Sequence, residues 1–121
     1  MDKFDKMSEQ QQEFIELLSS KGRHPSVPVD MTTKDGQIFV KSIIHECVGE
    51  LFEVVNELKN SKAHRATNIT EFNRENLKEE LADVLHYYFG ILSCTGISPG
   101  ELFDAYMIKG QKNIQRVLTN Y

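Results

Sequence analysis

The sequence predicts an all-α fold, a bundle of about four helices. Apolar residues recur at helical spacing in two long segments: Ile44, Cys47, Val48, Leu51, Val55 and Leu58, then Leu77, Leu81, Val84, Leu85, Tyr88 and Leu92. Start and stop residues bracket the helical stretches. No segment reads as a strand.

Each element follows in order. Residues 6–20 form a first helical pattern, with Phe14, Ile15, Leu17 and Leu18 as its apolar side. Gly22, Pro25 and Pro28 break it, and Arg23 to Gly36 is an unusually long irregular connection. The second helix is expected from about Gln37 to about Asn60, followed by a polar connection from Ser61 to Phe72. Asn73 is the expected N-cap of the third helix, and Gly96 its C′ residue. Ser98-Pro99-Gly100-Glu101 is a capping box with proline in the first helical position. It opens a last helix expected to run to Leu118.

At 121 residues the chain is expected to be one domain. Residues 1–36 form an N-terminal helix and connection, and residues 37–121 the helical core. Helices this long in so short a chain leave apolar faces that oligomerisation completes, as a homodimer or homotetramer. The formal net charge of −4 argues against nucleic acid as a partner. The apolar runs are too short and interrupted to span a membrane. Met1 to Met7 lacks the basic and apolar regions of a signal peptide. Cys47 and Cys94 have no CxxC spacing and read as buried free thiols, which places the chain in a reducing cytoplasm.

The chemistry resides in two acidic signatures, Glu50-x-x-Glu53 and Glu80-x-x-Asp83, on consecutive helices. At about 100° per residue, Glu46, Glu50, Glu53 and Glu57 fall within about 60° of one another, beside the apolar face. Glu79, Glu80 and Asp83 flank the apolar face of the next helix in the same way. An acidic stripe on a helix is ordinarily a solvated face. Here the like charges at i,i+4 each cost about 0.2–0.5 kcal/mol, and the device recurs on two helices. If the helices are antiparallel neighbours, four carboxylates converge, and such a cluster calls for a cation. Oxygen ligands alone suit a hard ion, Mg²⁺, with Mn²⁺ as the alternative.

Asp83-x-x-His86 loosely echoes the Glu-x-x-His of di-iron bundles, but those need the motif on two helices and this chain has one copy. His86 therefore reads as a supporting or core histidine. Two cationic sets could meet an anionic substrate. Lys62, His64 and Arg65 crowd the connection between the acidic helices. Lys109, Asn113 and Arg116 share one face of the last helix, with Lys112 nearby. Basic residues near a helix C-terminus also simply complement the dipole. There is no Walker A loop, no dinucleotide fingerprint and no nucleophile elbow. A competing reading is a non-enzymatic interaction module whose acidic stripe docks a basic partner.

With these residues in place, the chain resembles the all-α nucleoside triphosphate pyrophosphohydrolases, which include MazG-like proteins and dimeric dUTPases. Their signature is ExxE, a spacer, then ExxD, here Glu50-Leu51-Phe52-Glu53 and Glu80-Leu81-Ala82-Asp83. Val84-Leu85-His86-Tyr87 is similar to the continuation after ExxD, and Lys62-Ala63-His64-Arg65 to the basic segment. Lys109…Asn113…Arg116, ending in Tyr121, is similar to the K-x-x-x-N-x-x-R tail of dimeric dUTPases.

The resemblance implies a Mg²⁺-dependent hydrolysis between the α- and β-phosphates of a nucleoside triphosphate, giving a monophosphate and pyrophosphate. It implies Glu50, Glu53, Glu80 and Asp83 as metal ligands, with Glu50 or Glu53 also serving the attacking water. It assigns Lys109 and Arg116 to phosphates and Asn113 to a phosphate or the sugar, with Lys62 and Arg65 in support. The chain departs from the pattern in lacking tryptophan and in carrying Gly49 where MazG-like chains often pair two acids.

Overall fold

The computed structural model describes residues 2–64, 66 and 72–119. Four α-helices are seen, and no strand among the described residues: α1 (Lys3–Ser20), α2 (Lys34–Asn56), α3 (Arg74–Thr95) and α4 (Pro99–Leu118). A short 3₁₀ turn, Lys59–Ser61, follows α2. The all-α expectation holds. Among the described residues, no helix is long and apolar enough to cross a membrane.

Caps decide where these helices begin. Asp2 accepts the Asp5 N–H at 2.8 Å, so α1 starts three residues ahead of its apolar pattern. The Thr33 hydroxyl accepts the Gly36 N–H at 3.0 Å and likewise starts α2 before the expected Gln37. At its other end α2 stops at Asn56, earlier than expected. The Glu57 and Leu58 N–H groups bond back to Val54 and Val55, tightening the chain into the 3₁₀ turn. Asn73 caps α3 as expected, accepting the Asn76 N–H at 3.0 Å. The Ser98–Glu101 capping box closes with bonds of 2.8 and 3.1 Å. Gly22 and Gly96 end α1 and α3 at φ of 68° and 73°, a conformation in which a side chain would be strained.

The chain divides into two compact units, Met1–Val29 with Leu92–Tyr121, and Asp30–Ile91. In the first, α1 packs on α4. Ile15, Leu92 and Cys94 are its buried apolar residues. The Val29 N–H donates to the Cys94 carbonyl at 2.9 Å, tying the segment after α1 to the last turn of α3. The Val27–Pro28 peptide in that segment is cis.

In the second unit α2 and the first part of α3 pair, and Val40, Cys47 and Phe89 are buried. Burying a side chain such as Phe89 contributes about 1.5–3 kcal/mol. The two apolar stripes read from the sequence are present, but most of their residues remain open. Leu51 is 47% exposed and Val55 50%.

Candidate metal centre

The acidic residues sit on the paired faces of α2 and α3. The Cys47 thiol lies 3.7 Å from the Val84 carbonyl, a weak bond that fixes how the two helices are offset. One turn from this contact on α2 comes Glu50; on α3, Asp83 and Glu80 flank the same level, three residues apart and on one face. The result is a cluster in which one carboxylate oxygen each from Glu50, Glu80 and Asp83 lies within 4.8 Å of the others.

Around an octahedral Mg²⁺ with oxygens at about 2.1 Å, opposite ligands stand about 4.2 Å apart. Only one pair among three ligands can stand opposite, and the other pairs come to about 3.0 Å, so the cluster needs to close by up to about 2 Å to grip such an ion, through side-chain rotation. Three hard oxygen donors at this spacing suit Mg²⁺ or Mn²⁺.

The electrostatics point the same way. The Glu80 carboxyl is pushed above its usual value, first by burial and then by the charges of Asp83, Glu53, Glu50 and Glu57. The lysine nearest in sequence, Lys78, is turned to Glu75 at 3.0 Å. A divalent cation would relieve repulsion that four neighbouring carboxylates now impose on Glu80.

The structure thus brings together Glu50, Glu80 and Asp83. Glu53 is exposed and stands outside the three-oxygen group, though its charge acts on Glu80. Lys62 is half-buried directly after the 3₁₀ turn. Arg65 and Tyr121 lie outside the described residues. Lys109, Asn113 and Arg116 are exposed on α4, which belongs to the other compact unit. Lys112 and Arg116, with Ile108, Gln111 and Gln115, line a shallow concavity there.

Two contacts escaped the sequence reading. The Tyr87 hydroxyl donates to Glu46, and burial, that bond and the charges of Glu46, Glu50 and Asp83 push the phenol up. In the other unit the His24 ring lies between the Pro25 carbonyl, at 2.7 Å from Nδ1, and the Cys94 thiol, at 4.0 Å from Nε2. Both free thiols are buried, and that burial pushes each one up, away from the thiolate a nucleophile needs. No local signal announces either contact, because each depends on how distant segments pack.

A family model described as dUTPase matches residues 35–121. The matched span takes in both acidic signatures and the cationic face of α4. Comparison with curated proteins and with solved structures returns no match.

Proposed function

The chain belongs to the dUTPase family, a family of nucleotide hydrolases; from that premise we propose that it is a Mg²⁺-dependent nucleoside triphosphate pyrophosphohydrolase. It cleaves between the α- and β-phosphates and releases a monophosphate and pyrophosphate. The observation that carries this reading is the set of Glu50, Glu80 and Asp83 oxygens within 4.8 Å of one another, where the charges that push Glu80 up are carboxylates.

In this proposal Glu50, Glu80 and Asp83 hold the ion, and Glu53 joins them by a side-chain turn. When bound, the ion supplies Lewis-acid polarisation of phosphate oxygens and of water. The attacking water forms a bond to the α-phosphorus while the bond to the β-phosphate oxygen breaks. Glu50 or Glu53 takes the proton that this water loses. Lys109 and Arg116 neutralise the phosphates and the departing pyrophosphate, and Asn113 orients a phosphate or the sugar. Lys62 and Arg65 add positive charge on the substrate side.

We extend the proposal to assembly. Apolar residues such as Leu51, Val55, Tyr106 and Val117 are 47%, 50%, 74% and 76% exposed, which supports a partner on these helices. A homodimer or homotetramer of the single-domain chain covers them, and the two free thiols accord with a cytoplasmic setting.

The test is a pyrophosphate-release assay over the common deoxy- and ribonucleoside triphosphates, with Mg²⁺ and with chelator. Ion-dependent release that is lost in Glu80→Gln supports the proposal. No release with any triphosphate sinks it, and salt-sensitive capture of a basic peptide would put a docking module in its place.

A further inference from the structure

The acidic stripe does not end at the three-carboxylate cluster. One turn before Glu50 on α2 stands Glu46, and one turn after Asp83 on α3 stands Tyr87. Along α2 the spacing runs 46, 50, 53, 57; along α3 it runs back as 87, 83, 80, 76. The offset that sets Glu50 beside Asp83 therefore sets Glu46 beside Tyr87. The Cys47–Val84 contact, 3.7 Å long, lies between these two layers and holds both in register. Tyr87 is half-buried, and its hydroxyl donates to the Glu46 carboxylate.

The middle layers set acid against acid, whereas this end layer sets an acid against a proton donor. That difference matters for an ion. Mg²⁺ takes six ligands and works on substrates only if several positions stay open to water and phosphate. Glu50, Glu53, Glu80 and Asp83 already offer four carboxylates. Glu46, four residues before Glu50, shares its face, so a fifth carboxylate from there would compete for one of the open positions. A carboxylate held by a phenol O–H in a charge-assisted bond is turned toward that donor instead.

We infer that Tyr87 is a positioning residue, which holds Glu46 out of the ion's coordination sphere and so keeps positions open for water and phosphate. The inference rests on the metal-dependent reading above. It assigns the tyrosine hydroxyl, rather than its ring, to the upkeep of the site.

Tyr87→Phe keeps the ring and deletes only the donor. The test is Mn²⁺ titration of the full chain by calorimetry, without nucleotide. Tyr87→Phe is expected to bind Mn²⁺ about 3–10-fold more tightly, since affinity follows the number of charged ligands. Its kcat at saturating ion falls, because the extra carboxylate occupies a working position. Adding Glu46→Gln to Tyr87→Phe removes that ligand and returns the affinity to within about twofold of wild type. A tyrosine that merely props the helices apart predicts the reverse: weaker binding and a lower Tm in chelator, unrepaired by the second substitution. That pattern, or an unchanged affinity, overturns the inference while leaving the metal reading standing. A wild-type chain that takes up no Mn²⁺ overturns the metal reading and this inference with it.

Discussion

From Arg74 to Tyr87, α3 keeps its side chains exposed or half-buried and sets two carboxylates beside Glu50. From Phe89 to Cys94 the same helix is mostly buried, with Phe89 at 2% exposure and Cys94 at 0%. The first stretch carries carboxylates that repel one another; the second carries the close packing that holds the helix in place. One helix thus places its close packing and the candidate metal centre in different turns, so the two can be damaged separately.

The comparison breaks most sharply at the carboxylates. Glu80→Gln or Asp83→Asn is expected to lower ion-dependent nucleotide hydrolysis by more than about 100-fold, the upper range for losing even an outer supporting group. The Tm in chelator should hold or rise, because each change removes a like-charge contact. A matching fall in chelator Tm would show that the acidic turns also carry the fold.

Next comes the buried turn. Phe89→Ala is expected to cost about 3–5 kcal/mol in urea unfolding. The fraction still folded should bind Mn²⁺ as wild type does.

The two ends of α3 give a finer test. Asn73→Ala removes the cap bonded to Asn76, at a cost of about 0.5–2 kcal/mol, and frays the acidic turns first. Gly96→Ala puts a side chain at a φ of 73° and brings it to 3.3 Å from Pro28, at a cost of about 1–2 kcal/mol. Hydrogen exchange should show faster opening at residues 74–83 in the first variant and not in the second.

The smallest expected effect is in pH. The folded Glu80 carboxyl sits above its ordinary 4.5, so its favourable contribution is full below that value and is lost as pH rises through the folded pKa. The ion-free Tm should therefore rise as pH falls from 7 through the folded pKa toward 4.5, and Mg²⁺ should raise Tm at pH 7 but less near 4.5. Parallel curves with and without Mg²⁺ would detach the ion from Glu80.

Much of this arrangement is legible in the sequence alone. The third and fourth helices announce themselves through Asn73, Gly96 and the Ser98–Glu101 box, because capping is local chemistry between residues three apart. The acidic signatures were legible because a helix repeats its face every three to four residues, so spacing alone puts Glu80 and Asp83 together. The starts of α1 and α2 were misplaced by three residues because Asp2 and Thr33 cap them ahead of the apolar period. The Tyr87–Glu46 and His24–Cys94 contacts were out of reach for a different reason. Each depends on an offset between segments that no local pattern encodes.

Cys47 and Cys94 turn this division into something a chemist can time. The first touches α3 in its acidic stretch, and the second belongs to its buried one. Neither sulfur meets solvent readily in the native molecule, so a maleimide dye will stain each only when its own neighbourhood breathes. Two staining half-lives from one sample would then report the breathing of the two stretches side by side.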